Sequence, residues 1–110
     1  MENVKNDERN LDFDNIIQVQ GRSIKSIMKE LSHDRIDFLK MDIEGSEFDA
    51  LSAAFDAKLN ITQLLVDHHE YMFKEGKGIL KAFLTRLDNE NYKIYYSAKT
   101  GCECIGCIKQ

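Results

Sequence analysis

Asp37-Phe38-Leu39-Lys40-Met41-Asp42-Ile43-Glu44-Gly45-Ser46-Glu47 is an apolar run that empties within a few residues into acids, a glycine and a serine suited to cap a helix. A buried parallel strand delivers polar groups to a ligand crevice in this way, because loops at the carboxyl ends of strands present side chains without burying unpaired charge. Asp42, Glu44 and Glu47 are therefore the first candidate site residues. Ile36 to Ile43 carries apolar residues on both parities, the pattern of a central strand covered on two faces, with Lys40 as the polar intruder. Gly45 turns the chain. Ser46, with Asp49 three residues on, predicts a capping box for a helix whose Phe48, Leu51, Phe55 and Leu59 lie close to one face.

The pattern repeats downstream. Ile61-Thr62-Gln63-Leu64-Leu65-Val66 predicts a second apolar strand that ends in Asp67-His68-His69-Glu70, so the two polar endings should be neighbours. A loop with Gly76 and Gly78 then leads to a helix bearing Ile79, Leu80, Phe83, Leu84 and Leu87. Tyr92 to Ala98 and Cys104 to Lys109 read as closing strands, an antiparallel hairpin around Gly101. Upstream, Ile16 to Gln20 reads as a short strand, and Ser23 as the N-cap of a helix with Ile24, Ile27, Met28 and Leu31 at helical spacing. Residues 1–15 are polar and predict a flexible lead-in, which leaves 16–110 as the single domain. Strands alternating with helices imply an α/β sheet with right-handed parallel crossovers, layered with helices.

Composition narrows the function classes. At 110 residues and 43% hydrophobic content there is room for one modest core, and the net charge of −4 argues against nucleic acid as a partner. No apolar run reaches the roughly 20 residues that span a bilayer, so the sequence predicts no membrane partner and a cytoplasmic protein. The three cysteines, Cys102, Cys104 and Cys107, form Cys-x-Cys-x-x-Cys without a nearby fourth ligand. Strand alternation sends Cys107 to the face opposite Cys102 and Cys104, so the three read as reduced thiols rather than a zinc site.

The stretch Lys40-x-Asp42-Ile43-Glu44-Gly45-x-Glu47, with Asp37 before it and Leu51 after it, resembles the signature of the FkbM-type methyltransferases. The likeness is sharpest over Ile36 to Leu51 and runs more loosely from about Val19 to the terminus. It implies a Rossmann-like methyltransferase sheet, mostly parallel with an antiparallel C-terminal hairpin. It also implies transfer of a methyl group from S-adenosylmethionine to oxygen on a small molecule or sugar. No Gly-x-Gly turn precedes Asp42, so the resemblance covers the C-terminal half of such a domain, and the N-terminal cofactor-binding half is absent from the sheet. A partial sheet has a bare edge that self-association or a second chain would cover. The alternative function is a non-catalytic remnant or interaction domain that binds no methyl donor.

By resemblance, Asp42 stands between donor and acceptor, where it would position or deprotonate the acceptor. The family often shows Glu-x-His at the next strand end, which assigns those places to Asp67 and His69 and makes His69 the alternative base. Glu44, Gly45, Glu47, Asp67, His68 and Glu70 complete the substrate and cofactor crevice. Acids here also suit a helix N-terminus on dipole grounds alone, Glu47 above all, since it falls in the first turn. Gly45 and Ser46 are read chiefly as turn and cap. Asp42, Glu44, His69 and Glu70 are metal-capable donors, yet no tight spacing such as His-Glu-x-x-His backs an ion, and no metal is assigned.

Overall fold

The computed structural model describes residues 16–98 and 103–110, and the lead-in and the turn around Gly101 lie outside them. Among the described residues the chain builds α1 (Ile24–Glu30), β1 (Ile36–Met41), α2 (Glu47–Asp56), β2 (Ile61–Asp67), a 3-10 turn (Glu70–Met72), α3 (Gly76–Asn89), β3 (Tyr92–Ala98) and β4 (Cys104–Lys109). The sheet has four strands among the described residues, in the order β1-β2-β4-β3.

β1 and β2 pair in parallel, Met41 opposite Val66, with α2 as the connecting helix. β4 then runs antiparallel to both of its neighbours. The expected hairpin is present, but the sheet is mixed rather than mostly parallel, with one parallel pair and two antiparallel ones. Burial explains the order. β4 carries Ile105, Gly106 and Cys107, all buried, and takes the interior position. β3 exposes Lys93, Tyr95 and Tyr96 and takes the rim. A Cβ at Gly106 in β4 would sit 3.1 Å from the Tyr95 ring, which would have to give by a few tenths of an ångström.

The core lies between one face of the sheet and the helices. Leu51 and Phe55 of α2, Phe83 and Leu87 of α3, and Ile61, Leu64 and Val66 of β2 form one apolar cluster. Leu51, Ile61, Leu64 and Val66 are fully buried, and each such side chain contributes roughly 2 kcal/mol by leaving water. Phe48 meets Phe83 edge-on, centroids 5.2 Å apart, where α2 lies against α3. The expectation that β1 is covered on two faces is corrected: Phe38 is 50% exposed, and Lys40 is exposed too. Phe38 stands opposite Gln63, whose amide oxygen lies 3.5 Å from the exposed Tyr95 hydroxyl, so the second face meets solvent there.

Other expectations divide according to their physical basis. Ser23 caps α1 by accepting the Ser26 N–H at 3.1 Å, as its sequence position predicts. Ile16 to Gln20 is not a strand, and Ile17 and Val19 are exposed. β-favouring side chains do not make a strand where no neighbouring ladder is presented to them. α3 begins at Gly76 itself, where a Cβ would stand 2.0 Å from the Glu70 carbonyl oxygen. No helix among the described residues is long and apolar enough to cross a membrane.

Candidate functional site

The parallel register brings Asp42 and Asp67, one residue beyond the Met41–Val66 pair, to the same end of the sheet. The chain then reverses through Glu44 at φ 56° and Gly45 at φ 104°, a left-handed pair in which only glycine is unstrained. Ser46 precedes α2 but makes no side-chain capping bond, so the predicted capping box does not form. Glu47 instead serves the turn ahead of the helix. The Glu47 carboxylate turns back from the first helical residue and accepts the Ile43 N–H at 2.8 Å and the Gly45 N–H at 3.1 Å. Its side chain is fully buried.

The same carboxylate reaches the second strand end. His69 Nδ1 lies 2.8 Å from Glu47 Oε1, a bond that orients the imidazole and directs Nε2 outward. Nε2 faces Asp42 Oδ1 at 3.5 Å and Glu44 Oε1 at 3.6 Å. The His69 side chain is 6% exposed, whereas that of Asp42 is 45% exposed, so the cluster runs from a buried root to a wet mouth. Burial works to lower the His69 pKa, but the hydrogen bond and charge of Glu47, with the charges of Glu44 and Asp67, outweigh it and leave the imidazole above its ordinary value. Tyr71 carries no signal in the sequence that marks it for a site; its ring is 69% exposed and lies 5.8 Å from the His69 ring.

His68 points elsewhere. Its Nδ1 lies 2.5 Å from Glu70 Oε2 and 3.8 Å from Glu103 Oε2, and its backbone N–H donates to the Glu103 carbonyl at 2.9 Å. The adjacent Glu70 carboxylate pushes Glu103 above the ordinary carboxyl range. Burial raises Glu70, but its contacts with Glu103 and His68 hold it below that range. The crevice residues therefore split into two clusters: Asp42, Glu44, Glu47, Asp67 and His69 in one, His68 and Glu70 with Glu103 in the other. Glu103 escapes sequence reasoning, because only the placement of β4 beside β2 brings it here. In each of two sets, Asp42–Asp67–His69 and His68–Glu70–Glu103, donor atoms lie within 4.8 Å of one another, close enough to share a cation. A separate groove of about 380 Å³, lined by Phe48, Phe55, Phe83 and Arg86 among others, lies between α2 and α3.

These features define an α/β domain whose carboxyl strand ends converge on a buried imidazole ringed by acids, the placement of a ligand crevice in open α/β sheets. The Methyltransferase FkbM domain matches residues 2–94, and the chain belongs to this family of methyltransferase domains. The match begins well ahead of Val19. No curated protein matches the chain, and no solved structure does.

Proposed function

We propose that the chain works in the methylation of a hydroxyl group on a small molecule or sugar, with S-adenosylmethionine as donor and the Asp42–His69–Glu47 cluster as the acceptor side. The family match is the observation that carries methyl transfer, and it does not favour the non-catalytic alternative. The cluster supports the assignment of the acceptor side. An acceptor oxygen that bridges Asp42 Oδ1 and His69 Nε2, 3.5 Å apart, is within hydrogen-bond reach of both. Glu47 holds the ring by Nδ1 while Nε2 takes the hydroxyl proton, as the orienting acid does in other carboxylate–histidine pairs. Asp42 positions the hydroxyl, and the exposed Tyr71 ring beside His69 offers a face for a sugar or planar acceptor.

The described residues do not fit the donor equally well. Close approach of backbone to an adenosyl donor needs an open glycine turn. Gly45 has Phe73 Cζ at 3.3 Å and Gly76 has the Glu70 carbonyl at 2.0 Å where a Cβ would stand, so both are filled by protein. Gly21, in the coil ahead of α1, and Gly78, within α3, do have open space where a Cβ would stand, but neither belongs to a strand-to-helix turn at the crevice. The test is transfer of labelled methyl from S-adenosylmethionine to a panel of hydroxylated acceptors. Asp42→Asn and His69→Gln should each lower turnover at least ~100-fold, the low end of the effect of a positioned proton acceptor. Unchanged turnover in both variants sinks the acceptor-side assignment, and no transfer to any hydroxyl acceptor sinks the reaction.

A further inference from the structure

The His68–Glu70–Glu103 cluster has no task in the proposed transfer. Its side chains are nonetheless held with care. The Asp67–Cys104 pair of the β2–β4 ladder is followed by the bond from the His68 N–H to the Glu103 carbonyl, so backbone pairing sets these residues side by side. Glu70 enters from the first residue of the 3-10 turn. The His68 and Glu70 side chains are 7% and 15% exposed.

Among the described residues, Glu103 Oε2 is the buried side-chain polar atom with no hydrogen-bond partner, on a side chain 39% exposed as a whole. Its neighbour Glu70 is another carboxyl, which bonds it only when one of the two is protonated. Buried oxygens without a partner are rare in folded proteins, and such an atom calls for a bound water or ion. It sits beside a second carboxylate and one ring nitrogen, an arrangement with more negative charge than its single imidazole can balance. Among the described residues, no side-chain oxygen of the Asp42–Asp67–His69 set is buried and unbonded in this way.

We propose that His68, Glu70 and Glu103 bind a divalent transition-metal ion at a site distinct from the acceptor cluster. One imidazole nitrogen and two carboxylate oxygens suit Mn2+, Fe2+, Co2+ or Zn2+, whereas all-oxygen sets suit Mg2+ and Ca2+. Donors bound to one ion at about 2.0 to 2.2 Å stand roughly 3 to 4 Å from each other, and the His68 Nδ1 to Glu103 Oε2 separation of 3.8 Å falls in that range. The 2.5 Å contact of His68 with Glu70 opens by less than about 1 Å through the torsions of the flexible Glu70 side chain. The ion ties the end of β2 to the start of β4 and to the 3-10 turn, and so stiffens the strand end that presents His69.

Calorimetric titration of the chelator-stripped protein with Mn2+ tests the site, since Mn2+ favours oxygen and imidazole over the thiolates of Cys104 and Cys107. We expect one Mn2+ per chain, unchanged in Asp42→Asn and weakened at least tenfold in Glu103→Gln and in His68→Gln. Far-UV circular dichroism checks that the variants fold, and the nearly isosteric Glu103→Gln decides the matter if His68→Gln does not. Wild-type binding weaker than about 1 mM overturns the proposal. So does binding that Glu103→Gln retains, and if Asp42→Asn then abolishes it, the ion belongs to the other cluster.

Discussion

Glu47 shows how much one side chain changes meaning with its surroundings. On a helical wheel it is an acid in a first turn; folded, it is a fully buried carboxylate that accepts two backbone N–H groups and fixes the His69 ring. Hydrogen bonds to a charged acceptor are worth about twice neutral ones. Replacing Glu47 by Gln should therefore lower stability by about 2 kcal/mol in urea denaturation, and a loss below about 0.5 kcal/mol would show that the network contributes little. Cys107 makes a second statement at this scale. Burial pushes its thiol up to about 11, so at pH 8 it stays protonated and inert. Iodoacetamide at that pH should leave Cys107 unmodified in the native protein and alkylate it in urea, as read by mass spectrometry.

Two helix starts look alike in sequence and behave differently in the fold. Ser23, with extended backbone at φ −79° and ψ 157°, accepts the Ser26 N–H, whereas Ser46, with helical backbone at φ −88° and ψ 0°, makes no such bond. We expect Ser23→Ala to cost about 1 kcal/mol and Ser46→Ala less than about 0.5 kcal/mol, measured side by side by thermal unfolding. Equal losses contradict this division of labour. Among the strands, β4 displaces β3 from the middle of the sheet because its small and apolar residues tolerate burial on both sides. That exchange is what brings Glu103 to His68.

Across the whole molecule, Tyr92 ties the start of β3 to the first residue of β2, its hydroxyl donating to the Ile61 carbonyl at 2.5 Å from within the core. Burial, with smaller contributions from Cys107 and Glu90, pushes the phenol from its ordinary value near 10 up to about 12. A phenol harder to ionise when folded leaves stability intact below pH 10, and stability falls as pH rises from 10 through about 12, since unfolding then releases a proton. Denaturation midpoints across this window should decline in the wild type, and more shallowly in Tyr92→Phe. That variant should also lose about 1 kcal/mol at pH 7. A parallel alkaline decline in both proteins assigns the effect to another group.

Much of the fold and half of the site are legible in the order of the residues alone. The strand–loop–helix from Ile36 to Asp56, the second strand, the closing hairpin and the meeting of Asp42 with the Asp67–His69 segment all follow from apolar periodicity, turn residues and the adjacency of consecutive strands. These signals are local, set by residues within a turn or a strand of one another. Sequence by itself thus determined most of the elements, the family and the end of the sheet where the polar groups gather. Tertiary structure alone decided the mixed strand order, the failure of Ile16 to Gln20 to pair, the burial of Glu47 and the separation of His68 from His69. The reason is that His69 meets Glu47 across 22 residues, and His68 meets Glu103 only through the β2–β4 ladder. Contacts of that span depend on which strands become neighbours and in what register, a choice made by the burial of the whole sheet rather than by any one segment.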